Sequence, residues 1–160
     1  MEIHSYRAPK GQTKEALTVI RPFKAADREI VLNIWRDSST VAHPFLGQDI
    51  MEKAETMIRD TLLDLAEIWV IEADGRPAGF VALLGNEVGG LFLRPDDMGR
   101  GLGRALMDHA VSLKGAVTLE VFRDNHIGRK FYARYGFKAR GESLDAFSGH
   151  QVIRLDYSPG

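Results

Sequence analysis

Hydrophobic positions change their period several times along the chain, and each change marks an element. Thr18–Arg21 is a short apolar strand stopped by Pro22. Over Ala25–Ser38 the apolar residues Ile30, Val31, Ile34 and Trp35 recur at helical spacing, which predicts a helix with one buried stripe. Val41–Gly47 passes through Pro44 as a loop, and Asp49–Leu63 is a second helix with Asp49 as its expected cap. Ala66–Ala73 and Pro77–Leu84 are strands on either side of the hairpin turn Asp74-Gly75. Gly85-Asn86 turns the chain into a third strand, Glu87–Leu93, so the three read as an antiparallel meander. Pro95-Asp96-Asp97 leads into a glycine-rich stretch and a helix to Leu113, with Gly115 as its C-terminal cap.

Ala116–Phe122 is a strand in which Leu119 and Val121 alternate with Thr118 and Glu120. Asn125–Tyr135 is a helix closed by Gly136. Phe137–Gly141 and Gln151–Tyr157 are the last strands, joined by the polar loop Glu142–His150. The order βααβββαβαββ predicts an α/β fold, with a mixed, mostly antiparallel sheet of about seven strands flanked by about four helices. Residues 1–17, polar and without a clear period around Pro9-Lys10-Gly11, read as an N-terminal extension ahead of a single domain, 18–160.

Composition narrows the classes. The 160 residues are 44% apolar and 27% charged, ordinary for one soluble globular domain. A formal net charge of −1 gives no basic field, so nucleic acid is not expected as a partner. With no cysteine there are no disulfides and no thiolate chemistry. No apolar run is long enough to span a membrane and the N-terminus lacks a signal-type apolar region, so a cytoplasmic protein is the expectation. His4, His109, His126 and His150 show no HxH or HExxH spacing, and no metal site is expected.

The chemistry concentrates in Leu91–Ala105, LFLRPDDMGRGLGRA. Gly99, Gly101 and Gly103 let the backbone turn tightly with no side chains in the way of a ligand, and the helix that follows offers free N–H groups and its positive dipole end. That combination suits phosphate oxygens. It is not a P-loop, since no Lys-Ser or Lys-Thr pair follows the glycines. Nor is it a dinucleotide fingerprint, because the last glycine place falls on Arg104 or Leu106.

Met98-Gly99-Arg100-Gly101-Leu102-Gly103 resembles motif A of the GCN5-related N-acetyltransferases, [Q/R]xxGx[G/A], departing only at Met98. Asn125, Gly128, Phe131, Tyr132, Gly136 and Phe137 are similar in kind and spacing to the family's Nxx[A/G]xxFYxxxGF. The resemblance runs from Val19 to Asp156, and small bacterial members share a run like Trp35–Phe45.

The resemblance implies the acyl-CoA N-acyltransferase fold and acetyl transfer from acetyl-CoA to a primary amine of a small molecule or protein, by direct attack in a ternary complex. Main-chain amides of Gly99–Arg104, with Met98, Arg100 and Leu102 among them, would hold the pyrophosphate. The backbone of Leu91, Phe92 and Leu93 would pair with the pantetheine arm like another strand. That requires the strands around Leu91 and Leu119 to splay apart, and Gly89-Gly90 fits a bulge that opens the gap. Arg100, Arg104, Arg129 and Lys130 are candidates for the outer phosphates, against an ordinary role as solvated charges.

Asn125 would bond the pantetheine, and Tyr132 would protonate the departing thiolate. Glu87, four residues before Leu91, is the expected base, with His43 and Glu120 as alternatives. Trp35, His43 and Phe45 would shape the acceptor pocket. The competing reading is a non-catalytic acetyl-CoA-binding module, against which Tyr132 and Glu87 argue. The acceptor stays open between a polyamine, an aminoglycoside, an amino acid, a protein N-terminus and a lysine side chain. The family often forms homodimers, but nothing in the sequence locates an interface.

Overall fold

An eight-stranded sheet, in the order β1-β2-β3-β4-β5-β6-β8-β7, forms the middle layer of the computed structural model, which describes residues 4–7 and 17–160. The strands are β1 (His4–Arg7), β2 (Leu17–Pro22), β3 (Glu67–Ala73), β4 (Arg76–Leu84), β5 (Glu87–Leu93), β6 (Val117–Phe122), β7 (Lys138–Leu144) and β8 (Gln151–Tyr157). Every neighbouring pair is antiparallel except β5 and β6. Four main helices flank it: α1 (Arg28–Ala42), α2 (Gln48–Met57), α3 (Leu102–Lys114) and α4 (His126–Tyr135). The α/β class and mixed sheet agree with the sequence reading, with one strand more. The additional strand, β1, comes from the segment read as an extension and sets His4 opposite Ile20. The rest of that segment, residues 1–3 and 8–16, lies outside the described residues.

Alternation along the central strands feeds two cores. Ile71, Val81, Leu83 and Val88 point to the layer of α3 and α4, where they meet Leu102, Leu106, Met107 and Tyr132. Val70, Phe80 and Ala82 point the other way, to Val31, Leu32, Ile34 and Trp35 of α1. With helices on both faces, β4 is buried from Ala78 to Leu83 and its sequence is apolar without alternation. Each large side chain taken out of water here contributes roughly 1.5–3 kcal/mol.

Several boundaries move for local reasons. The first helix does not stop at Ser38 but continues to Ala42. The Thr40 hydroxyl donates to the Arg36 carbonyl at 2.8 Å, so this polar residue is satisfied inside the helix. Pro44 then forces the residue before it, His43, out of the helical region (φ −126°, ψ 48°). The second helix is not capped by Asp49: its N-cap is Gly47 at φ 81°, with no side-chain cap. It runs on through a wide π turn, Ile58–Leu62, and a final Leu63–Leu65 turn, which puts Ile58 and Leu63 into the α1 core. β7 extends to Leu144, beyond the expected Gly141; all its residues are exposed, so no apolar period marked it.

The β2–α1 corner is fixed by charge. Arg21 donates to both Asp27 carboxylate oxygens at 2.7 and 2.9 Å and to Glu72 at 2.6 Å. The Arg21 hydrogen bonds hold the Asp27 carboxyl below its usual range, and Asp27 itself is 7% exposed.

Candidate functional site

β5 and β6 register at a single point, Glu87 opposite Thr118. Past that point β6 bonds only to β8 and β5 only to β4, so the two parallel strands part. The β4–β5 register slips between Ala82 and Leu83: Ala82 faces Gly90 and Leu83 faces Val88, which leaves Gly89 as the extra residue of a bulge. The parting is what the family resemblance implies, and the bulge falls at the Gly89-Gly90 pair that fits it. Among the described residues, the backbone edge of β5 from Gly89 to Leu93 therefore has no strand partner on the β6 side.

A cleft of about 420 Å³ occupies the gap. Leu91, Phe92 and Leu93 form one wall, and Met98, Gly99, Gly101, Gly103 and Arg104 close one end. Gly99 and Gly101 take φ of 79° and 80°, and a Cβ at Gly99 would meet nothing within 4 Å, so the turn borders open space. A Cβ at Gly103 would lie 3.2 Å from the Phe131 ring, so this glycine lets α3 approach α4. α3 has no side-chain N-cap, and its first helical bond within this turn runs from the Ala105 N–H to the Gly101 carbonyl. The amides ahead of it are open to an anionic guest. Arg104, Lys130 and Arg134 line the same cleft, and no carboxylate does among the described residues. The cavity is cationic and suits a polyphosphate.

α4 supplies the other wall. The Asn125 Oδ1 accepts the Gly128 N–H at 2.9 Å, a side-chain N-cap. That bond fixes which end of the amide points where, so Nδ2 faces His43 Nε2 at 3.1 Å. Nε2 must then be the acceptor, and the imidazole proton sits on Nδ1. Burial pushes the His43 pKa down to about 4, so the ring is neutral at physiological pH. A Cβ at Gly128 would come within 2.5 Å of Asn125 Nδ2, so glycine leaves the capping amide undisturbed.

Tyr132 lies one turn further along α4, packed between Phe131 and Phe137 at ring distances of 5.3 and 5.5 Å. It lines the cleft, and its hydroxyl makes no hydrogen bond among the described residues. Desolvation pushes the phenol up to about 12, so it keeps its proton. Tyr135 differs: its hydroxyl already donates to Asp108 at 2.6 Å.

Five expected residues fall elsewhere. Arg100 is tied to Asp97 at 2.9 Å and Asp74 at 3.1 Å, bracing the glycine turn against the β3–β4 hairpin rather than lining the cleft. Leu102 is a core side chain at 2% exposure. Both can serve a ligand only through main-chain amides. Trp35 is buried in the α1 core near Gly90 and Phe92, away from the cleft. Glu87 sits at the joined end of β5 and β6, about 13 Å along the strand from Leu91. Phe45 is outside the cleft wall but packs on His43 at 5.8 Å.

The sequence reading missed Ser38, Arg134, Phe122 and His150. Arg134 carried a signal, one helical turn beyond Lys130. Phe122 and His150 meet His43 and Phe45 through ring contacts of 5.0 and 5.1 Å between distant segments, which no local pattern announces.

Among the described residues no side-chain cluster could hold a metal ion, and no helix is long and apolar enough to cross a membrane.

The chain is similar to several known proteins. The family model for an acetyltransferase (GNAT) domain matches residues 64–139. The peptidyl-lysine N-acetyltransferase YjaB of Salmonella typhimurium is 34% identical over 125 residues, covering 78% of this chain and 86% of the relative. The solution structure of apo-form YjaB from Escherichia coli superposes with a TM-score of 0.80 at 31% identity, covering 88% of this chain and 97% of that one. The PaiA N-acetyltransferase of Thermoplasma acidophilum, solved in complex with coenzyme A, shares the fold with a TM-score of 0.73 at 20% identity, covering 88% and 99%. The chain belongs to the GCN5-related N-acetyltransferase family, enzymes that take their acetyl group from acetyl-CoA.

Proposed function

We propose that this acetyltransferase acts on the ε-amine of lysine in a peptide or protein, by direct attack on the thioester in a ternary complex. The observation that carries the catalytic reading is the cleft between β5 and β6, with an uncapped helix start at one end and the unbonded Tyr132 hydroxyl inside it. The lysine acceptor is supported by the names of the relatives, YjaB and YiaC, which are peptidyl-lysine N-acetyltransferases.

The amides from Gly99 to Arg104 would bind the pyrophosphate, and Arg104, Lys130 and Arg134 would neutralise it. The free edge of Leu91, Phe92 and Leu93 would bond the pantetheine arm, and one of its N–H groups would face the developing oxyanion. The lysine ammonium first loses a proton; its nitrogen then bonds the thioester carbon and the C–S bond breaks. The nitrogen sheds a second proton as the sulfur takes one, so one proton is released per turnover. Burial keeps the Tyr132 phenol in its neutral, proton-bearing form. Tyr132 would therefore stabilise the leaving sulfur chiefly as a hydrogen-bond donor, with the amine proton completing the thiol. The acceptance of Asn125 Nδ2 at His43 Nε2 leaves that nitrogen no lone pair for the amine, so His43 would serve as a neutral wall. Glu87 would receive the amine proton by way of water along the unpaired edge of β5.

The test is to incubate the protein with acetyl-CoA and a lysine peptide and follow free thiol together with peptide mass. Equal amounts of thiol and acetyl-lysine are expected. Binding of acetyl-CoA with no thiol release would overturn the catalytic reading in favour of a sensor module.

A further inference from the structure

Behind one wall of the cleft lies a second, smaller space of about 20 Å³. Trp35, Ile58, Phe80 and Ala82 line it, together with the backbone of Gly89 and Gly90. Its side chains are apolar or aromatic, and it has room for about one methyl-sized group. Among the described residues, Phe92 is the one that lines both this space and the cleft.

Alternation along β5 puts it there. Leu91 and Leu93 pack on the α3 side of the sheet, whereas Phe92 packs with the α1 core. Its ring is 5.4 Å from that of Phe80. A Cβ on Gly90 would come within 2.4 Å of Phe92 Cε2, so the ring lies over Gly90 in the room that the missing side chain leaves. Along α1, Ser38 lines the cleft, and Trp35, one turn earlier, lines the small space. The two spaces are neighbours, and the Phe92 ring stands between them.

The direction of the donor follows from the cleft. The phosphate-binding end, Met98 to Arg104, comes after β5 in the chain, so an arm anchored there runs back along β5 from Leu93 towards Gly89. That brings the acyl end to the stretch of strand where Phe92 lies over Gly90. An acetyl group carries one methyl beyond the thioester carbon. Each further methylene needs a place against this wall, and the Phe92 ring holds that place. The bonds made and broken do not depend on chain length: the amine nitrogen bonds the thioester carbon and the C–S bond breaks, whatever lies beyond the carbonyl.

Resting on the reading of the cleft as the acyl-CoA site, but not on lysine as the acceptor, we propose that Phe92 sets the length of the acyl group. Its ring restricts the donor to acetyl-CoA. A smaller side chain in its place joins the cleft to the space behind Gly90, so that straight-chain acyl-CoAs of three and four carbons become donors.

The experiment compares acetyl-, propionyl- and butyryl-CoA in the wild type, Phe92→Leu, Phe92→Ala and the double variant Phe92→Leu with Ala82→Val. Binding of each donor is measured by calorimetry without an amine, and transfer to a lysine peptide is measured separately. Phe92→Leu keeps an apolar side chain on β5, and Ala82→Val fills the small space from β4. The wild type should bind and use butyryl-CoA at least about tenfold less well than acetyl-CoA, the cost of forcing methylenes into a packed wall. Phe92→Leu and Phe92→Ala should each raise the butyryl-to-acetyl ratio more than about tenfold, at roughly fourfold for each methylene taken up. Adding Ala82→Val should return the ratio to near that of the wild type. Equal binding of butyryl- and acetyl-CoA by the wild type, an unchanged ratio in a Phe92 variant that still binds acetyl-CoA, or a gain that survives Ala82→Val would each overturn the inference and leave acetyl transfer standing. No binding of any of the three donors by the wild type would overturn the reading of the cleft and the inference together.

Discussion

The side-chain nitrogen of Asn125 lies 3.1 Å from Nε2 of His43, across 82 positions of sequence. One amide thus does two things: its oxygen caps α4 and its nitrogen holds the ring at the end of α1. The start of the helix that carries Tyr132 is thereby tied to the end of α1. Asn125→Asp should keep the cap and replace the donor by an acceptor. His43 must then donate through Nε2, and its pKa should rise from about 4 towards 6.5. An NMR titration of the imidazole protons checks this; an unmoved pKa would mean that the contact does not set the protonation of the ring.

His43 also gives the fold a pH dependence with a definite sign. Its folded pKa, about 4, lies below the ordinary 6.5, so the unfolded chain binds the proton first. The stabilisation is present above pH 6.5 and is lost as pH falls towards 4, amounting to on the order of 3 kcal/mol. His43→Gln should remove this part of the slope in urea denaturation between those pH values.

Arg21→Ala should destabilise the β2–α1 corner by about 3 kcal/mol, because it leaves the carboxylate of Asp27 buried with no cation and only the Lys24 N–H as partner. The double variant Arg21→Ala with Asp27→Asn should recover part of the loss. Thermal unfolding of the three proteins measures both effects. In the wild type the depressed Asp27 pKa adds stability above the usual carboxylate range that disappears as pH falls through the folded value.

Much of this was legible in the sequence because it rests on local geometry. The turn at Gly99 and Gly101 needs positive φ, and the Asn125 cap needs a small residue three positions on; both are short-range demands that leave residue-type signatures. The parting of β5 and β6 was legible through Gly89-Gly90, since a bulge needs an extra small residue. What was hidden depends on other kinds of information. β7 has no buried face, so it carries no period. Trp35 is eight residues before His43, about 12 Å along the helix axis, and its place on the core stripe decides its direction. Glu87 is separated from Leu91 by strand length, which motif spacing does not express. The ring contacts of His43 and Phe45 with Phe122 and His150 join the α1–α2 connection, the end of β6 and the β7–β8 turn, a meeting that only the assembled sheet reveals.

The central claim is that a neutral phenol inside the cleft serves the departing sulfur, and Tyr132→Phe tests it most directly. The substitution removes one oxygen and keeps the ring that packs between Phe131 and Phe137. Steady-state turnover of a lysine peptide should fall about a hundredfold, with acetyl-CoA affinity by calorimetry changed less than about twofold. Unchanged turnover, or turnover lost only in step with acetyl-CoA affinity, would contradict it.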